Sequence, residues 1–113
     1  MDCVDSTSKK AGKELFDYFS GNEKNILHPY QFDIDVLRSN TIVFLMASYE
    51  RDTENEYGGP HIFLELRAND DPLPTETRYI HMAELTLGNI TATVRSIIEE
   101  YFLQKQTFFV NLS

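Results

Sequence analysis

The stretch TIVFLMASYERDTENEYGGPHIFLELR, residues 41–67, decides the fold. Residues 42–47 are apolar without a break, which suits a central strand covered on two sides, the second side by this fold or by a second copy of the chain. Residues 61–67 change to strict alternation, with Ile62, Leu64 and Leu66 opposed to Phe63, Glu65 and Arg67. That is the period of a strand with one wet face. Gly58-Gly59-Pro60 marks a turn between the two, so the stretch predicts an antiparallel hairpin.

Working outward, residues 31–37 alternate Phe32, Ile34 and Val36 against Gln31, Asp33 and Asp35, which predicts another strand with an acidic outer face. Asp70-Asp71-Pro72-Leu73-Pro74 must be loop, because proline cannot donate to a ladder and disfavours helix in the residue before it. Residues 77–85 and 107–112 complete the strands, the last alternating Phe108, Val110 and Leu112 with Phe109 and Asn111. Two helices flank this set. Residues 8–20 place Ala11, Leu15, Tyr18 and Phe19 on one face, with Ser6 or Ser8 as cap and Gly21 past the end. Residues 89–104 repeat the pattern with Ile90, Val94, Ile97, Ile98, Tyr101 and Phe102, and Asn89 placed to cap. The order helix, strands, helix, strand predicts an α+β fold. It is an antiparallel sheet of about five strands with both helices packed mainly on one face.

A chain of 113 residues is expected to form a single domain over 1–113, with residues 1–7 flexible. Eight Phe and six Tyr supply the large side chains of a core and argue against disorder. The lone Cys3 makes no internal disulfide, so a reducing compartment is expected. MDCVDSTSKK lacks the cationic start and apolar run of a secretory signal, and six apolar residues fall far short of the roughly 20 of a spanning helix. The expectation is a cytoplasmic protein without membrane contact.

Charge is unevenly distributed. Residues 41–76 hold eight acids against Arg51 and Arg67, whereas residues 1–40 hold seven against five bases and residues 77–113 three against three. The segment sums of −2, −6 and 0 give the net −8. Such a surface attracts a basic protein and repels nucleic acid. Glu50, Asp52, Glu54 and Glu56 recur at period two, so an extended chain would set them on one face at roughly 6.6 Å intervals. Tyr49 and Tyr57 bracket the row, and a second cluster follows at Asp70, Asp71 and Glu76. With Asp33 and Asp35, these residues form the predicted partner-binding set.

Signatures of catalysis are missing. No nucleophile elbow, phosphate-binding loop or dinucleotide fingerprint occurs, and His28, His61 and His81 lack the short paired spacing of zinc sites. Asp33 or Asp35 followed by Glu65 and Arg67 loosely follows a nuclease spacing, but Arg67 stands where a lysine base is wanted and stays protonated. No catalytic residue, cofactor or metal is therefore expected. The leading expectation is a non-enzymatic inhibitor or immunity-type protein that blocks a basic target, such as a nuclease toxin or a nucleic-acid-handling defence protein, by carboxylate mimicry of phosphates. One alternative is a dimeric binding module such as an acidic secretion chaperone, using the apolar strand at 42–47. Another is a small enzyme of unfamiliar type using His61 or His81 with a carboxylate; the two histidines could also face each other across adjacent strands, where a carboxylate would complete a metal site.

Overall fold

The computed structural model describes residues 2–21, 28–34, 42–69 and 76–112. In chain order the elements are helix α1 (Asp2–Gly21), strands β1 (Tyr30–Ile34), β2 (Val43–Glu50), β3 (His61–Ala68) and β4 (Glu76–His81), a 3₁₀ turn at Met82–Glu84, and helix α2 (Leu87–Leu112). The fold is α+β. The strands form one antiparallel sheet in the order β1-β2-β3-β4.

Register follows from the alternation. Phe32, Leu45 and Leu66 stand level across three strands, as do Ile34, Val43 and Ala68, while Ile62 faces Ile80. These residues are buried, and all but Ala68 share one hydrophobic cluster with Val4, Ala11, Leu15 and Phe19 of α1 and Ile90, Val94, Ile97, Ile98 and Tyr101 of α2. Burying one such Leu or Ile contributes about 1.5–3 kcal/mol relative to exposure, and a one-residue slip would turn the whole set outward. Asn69 closes the far end of the hairpin: its N–H donates to the Ile42 carbonyl at 2.9 Å, and its Oδ1 accepts from the Ile42 N–H at 3.0 Å.

The helices cross tightly. Gly12 costs helix stability as such, but a Cβ there would lie 2.9 Å from the Cα of Thr91, so only hydrogen fits. Ser8 lies one turn earlier on the same helix, buried, its Oγ without a hydrogen-bond partner among the described residues. Asp5 forms an ion pair with Arg95, which also bonds Glu99 at 2.7 Å. Those two carboxylates, Glu99 first, hold the guanidinium in its charged form and push its pKa up. Tyr30 ties β1 to α1 by donating to Glu14 at 3.0 Å, and burial together with that carboxylate raises the phenol pKa above 10.0.

Four expectations are corrected. The fifth strand, residues 107–112, lies in α2: three apolar residues in a row fit either period, and no glycine or proline after Gly88 stops the helix. The first helix, expected over 8–20, begins at Asp2 with Val4 buried, so neither Ser6 nor Ser8 is its cap. The cap of α2 is Thr86, whose Oγ1 accepts from the Asn89 N–H at 3.0 Å, while Asn89 Nδ2 donates to the Glu84 carbonyl at 2.8 Å. The strand expected at 77–85 ends at His81, where the 3₁₀ turn begins. Among the described residues, no helix is long and apolar enough to cross a membrane.

Candidate functional site

Alternation sends Phe44, Met46 and Ser48 of β2, Phe63, Glu65 and Arg67 of β3, and Thr77 and Tyr79 of β4 to the face opposite the core. Phe44, Met46 and Phe63 are half-buried and stay outside the hydrophobic cluster. Glu65 and Arg67 pair with each other at 3.3 Å on this face. At one end of it, Glu50, His61 and His81 stand in register across three strands. The two histidines therefore do face each other. Three of their four ring nitrogens have other neighbours, however: His61 Nδ1 lies 3.1 Å from the Gly59 carbonyl oxygen, His81 Nε2 bonds the Tyr57 carbonyl, and His81 Nδ1 is 3.7 Å from Glu84. Among the described residues, no three His, Cys, Asp or Glu side chains are grouped to hold a metal ion.

The loop joining β2 to β3, residues 51–60, folds over this end. Its shape is set by Asp52. Oδ1 accepts from the Glu56 N–H at 2.8 Å, and Oδ2 accepts from the N–H groups of Tyr57 at 3.0 Å and Gly59 at 2.7 Å. The Asp52 carbonyl also accepts from the Asn55 N–H at 2.9 Å. Wrapping the chain around one carboxylate requires left-handed backbone, with φ of 58° at Asp52, 54° at Asn55, 82° at Gly58 and 125° at Gly59. Asn, Asp and Gly are the residues that tolerate it. Partial burial alone would raise the Asp52 pKa, but the three backbone N–H groups and nearby His61 outweigh it and hold the carboxyl below 3.8.

Rings pin the loop to the sheet. The Tyr57 ring centroid lies 4.6 Å from that of His61 and 5.1 Å from that of Tyr79; His61 is 5.5 Å from Tyr79, and Tyr79 is 5.4 Å from His81. Between loop and sheet opens a cleft of about 370 Å³. Its lining includes Glu50, Glu54, Glu56, Tyr57, His61 and Phe63. Tyr57 is 40% exposed, whereas His61 is only 2% exposed.

The predicted residues separate into groups. Glu50, Glu54, Glu56 and Tyr57 come together at the cleft, but not as an extended row, because the positive φ at Asp52 ends the strand and its carboxylate turns inward. Tyr49 faces Ile62 and packs against the core, away from Glu50. Asp33 is exposed on the same face as Phe44 but toward the other end, accepting from Gln31 at 2.9 Å. Glu76 faces Leu66 on the core side and pairs with Arg78 at 3.2 Å. Asp35, Asp70 and Asp71 lie outside the described residues. Sequence reasoning missed Phe44, Met46 and Tyr79 as parts of this face. The alternation of Phe63, Glu65 and Arg67 was the signal, and carrying it across the neighbouring strands finds them. Comparison with known protein families, curated proteins and solved structures finds no match.

Proposed function

We propose that this chain is a small acidic binding protein, an inhibitor or immunity-type protein that blocks a basic target such as a nuclease toxin or a nucleic-acid-handling defence protein. What supports the reading above all is the division of labour in the β2–β3 loop. Asp52 is consumed in fixing the loop, leaving Glu50, Glu54 and Glu56 exposed around an aromatic cleft on the uncovered sheet face. A preshaped loop meets its partner without the cost of ordering, and its charges steer encounter toward about 10⁸–10⁹ M⁻¹s⁻¹ at low salt. Phe44, Met46 and Phe63 supply apolar area beside the charges. The carboxylates take positions that nucleic-acid phosphates occupy on the target.

The test is capture of basic proteins from source lysate by the wild-type chain and by a triple variant Glu50→Lys, Glu54→Lys, Glu56→Lys that spares Asp52. The expected result is one basic partner, bound with steep salt dependence and lost on reversal. Binding indifferent to salt and to reversal overturns the reading. A second reading, a dimeric module such as a secretion chaperone, draws on the half-buried Phe44 and Met46 of the same face. Two copies of net charge −8 repel across it, so the face suits a cationic partner better. Sedimentation separates the two, since the dimeric module predicts a tight dimer at every salt concentration.

A further inference from the structure

The β2–β3 loop is fastened from two sides at the same two residues. Tyr57 and Gly59 give their N–H groups to Asp52 and turn their carbonyl oxygens to the sheet, where His81 Nε2 bonds the Tyr57 carbonyl and His61 Nδ1 lies 3.1 Å from that of Gly59. A carbonyl oxygen only accepts, so each of these nitrogens carries a hydrogen. For the Gly59 bond a neutral His61 ring is enough. His81 differs, because its other nitrogen also faces an oxygen: Nδ1 is 3.7 Å from a Glu84 carboxylate oxygen, within ion-pair range. A neutral imidazole has one N–H, and with Nε2 committed to Tyr57 its Nδ1 sets a lone pair against a carboxylate. The imidazolium has two, and serves both oxygens.

We infer that His81 is a proton-operated latch on the β2–β3 loop, holding it more tightly when the ring is charged. Imidazole is the side chain whose charge changes between about pH 5 and 8, and a hydrogen bond from a charged donor is roughly twice as strong as one from a neutral donor. Protonation therefore tightens the bond to the Tyr57 carbonyl and joins the ring to Glu84 of the 3₁₀ turn. The surroundings agree in sign. His61 faces His81 across β3, but Glu50 stands in register beside it on β2 and Asp52 approaches it from the loop, so one imidazole is set against the carboxylates of Glu84, Glu50 and Asp52. Arg78, on the same strand as His81, is paired with Glu76 at 3.2 Å. The rings of Tyr57 and Tyr79, and Asn89 and Thr93 of α2, complete the neighbourhood without adding charge. Asp52 works in the opposite sense, since acid that protonates its carboxyl frees the N–H groups of the same two residues. The loop is held most tightly between the two titrations.

The experiment is native-state hydrogen exchange of the full chain, read by NMR as protection factors of the Glu56, Tyr57 and Gly59 amides from pH 8 to pH 5, with the Leu45 and Leu64 amides as a core reference. Every readout is taken on the chain alone, so the outcome is independent of the binding function proposed above. The expected result is a rise of about threefold in the protection of the loop amides as pH falls, with the core amides unmoved. Nitrogen NMR of the His81 ring should find the hydrogen on Nε2 at pH 8 and on both nitrogens as the rise completes. His81→Gln keeps a neutral donor and should abolish the rise. Glu84→Gln, at an exposed site, should shrink it, and His28→Gln, also exposed, should leave it whole. Protection that stays flat in the wild type, a rise that survives His81→Gln or is unchanged by Glu84→Gln, or a neutral His81 ring with its hydrogen on Nδ1 each overturns the latch. Should His81→Gln fail to fold, the wild-type ring spectrum and Glu84→Gln still decide.

Discussion

The two faces of β2 and β3 are built from the same eight consecutive pairs, yet they carry different kinds of constraint. On one face Val43, Leu45, Ile62, Leu64 and Leu66 are buried in the cluster they share with residues of α1 and α2; on the other Phe44, Met46 and Phe63 are only half-covered and finish at a loop organised by one carboxylate. The first face determines whether the chain folds. The second carries large side chains that lie outside the hydrophobic cluster.

Substitution on the two faces should therefore give unequal costs. Leu64→Ala empties a fully buried site and should lower unfolding free energy by about 2–5 kcal/mol, whereas its neighbour Phe63→Ala, half-covered, should cost about 1 kcal/mol. Chemical denaturation of both variants measures the gap, and equal losses would mean that the outer face is core after all. Gly12→Ala comes next. The better helix former gains about 1 kcal/mol of propensity, but the methyl group meets the backbone at Thr91, so a net loss of about 1–2 kcal/mol is expected from the thermal midpoint. Ser8→Ala removes a buried hydroxyl without a partner and should raise stability by about 0.5–1 kcal/mol.

The smallest global effect belongs to Asp52→Ala, which should leave the helix-side core intact and remove hydrogen-exchange protection at the amides of Glu56, Tyr57 and Gly59. Acid should imitate it. The folded-state pKa of Asp52 lies below its ordinary 3.8, so the carboxylate's contribution is complete above that value and is lost as pH falls through the lower, folded pKa. Amide shifts of those three residues, followed downward from pH 5, should move together at a midpoint below 3.8. A midpoint above 3.8 would mean that the N–H groups do not outweigh burial.

How much of this was legible in the residues depends on the range of the interaction. The hairpin, its turn at Gly58-Gly59-Pro60 and the apolar stripe of α2 are written in local period, and they stand where alternation and helical spacing put them. The facing of His61 and His81 was legible too, because two strands joined through a loop fix their own register. The inward turn of Asp52 was not. A period-two row of acids looks the same whether the backbone is extended or wound around one of its members, and the choice depends on backbone N–H groups that leave little trace in composition. Asn55 and Gly58-Gly59, residues that accept left-handed backbone, were the available hint. The end of α2 failed for the opposite reason, since Phe108-Phe109-Val110 satisfies both periods and only the absence of a breaker favoured helix.

Strand order carries one more consequence. β1 and β4 are the outer strands, and each is short: five residues that follow Pro29 and include Asp33, and six that include Glu76 and Arg78. Short, charged margins discourage a neighbouring chain from zipping on as a further strand, which is how sheets grow into aggregates. A sheet guarded in this way resists polymerising at high concentration, even though its broad face carries the half-buried Phe44, Met46 and Phe63.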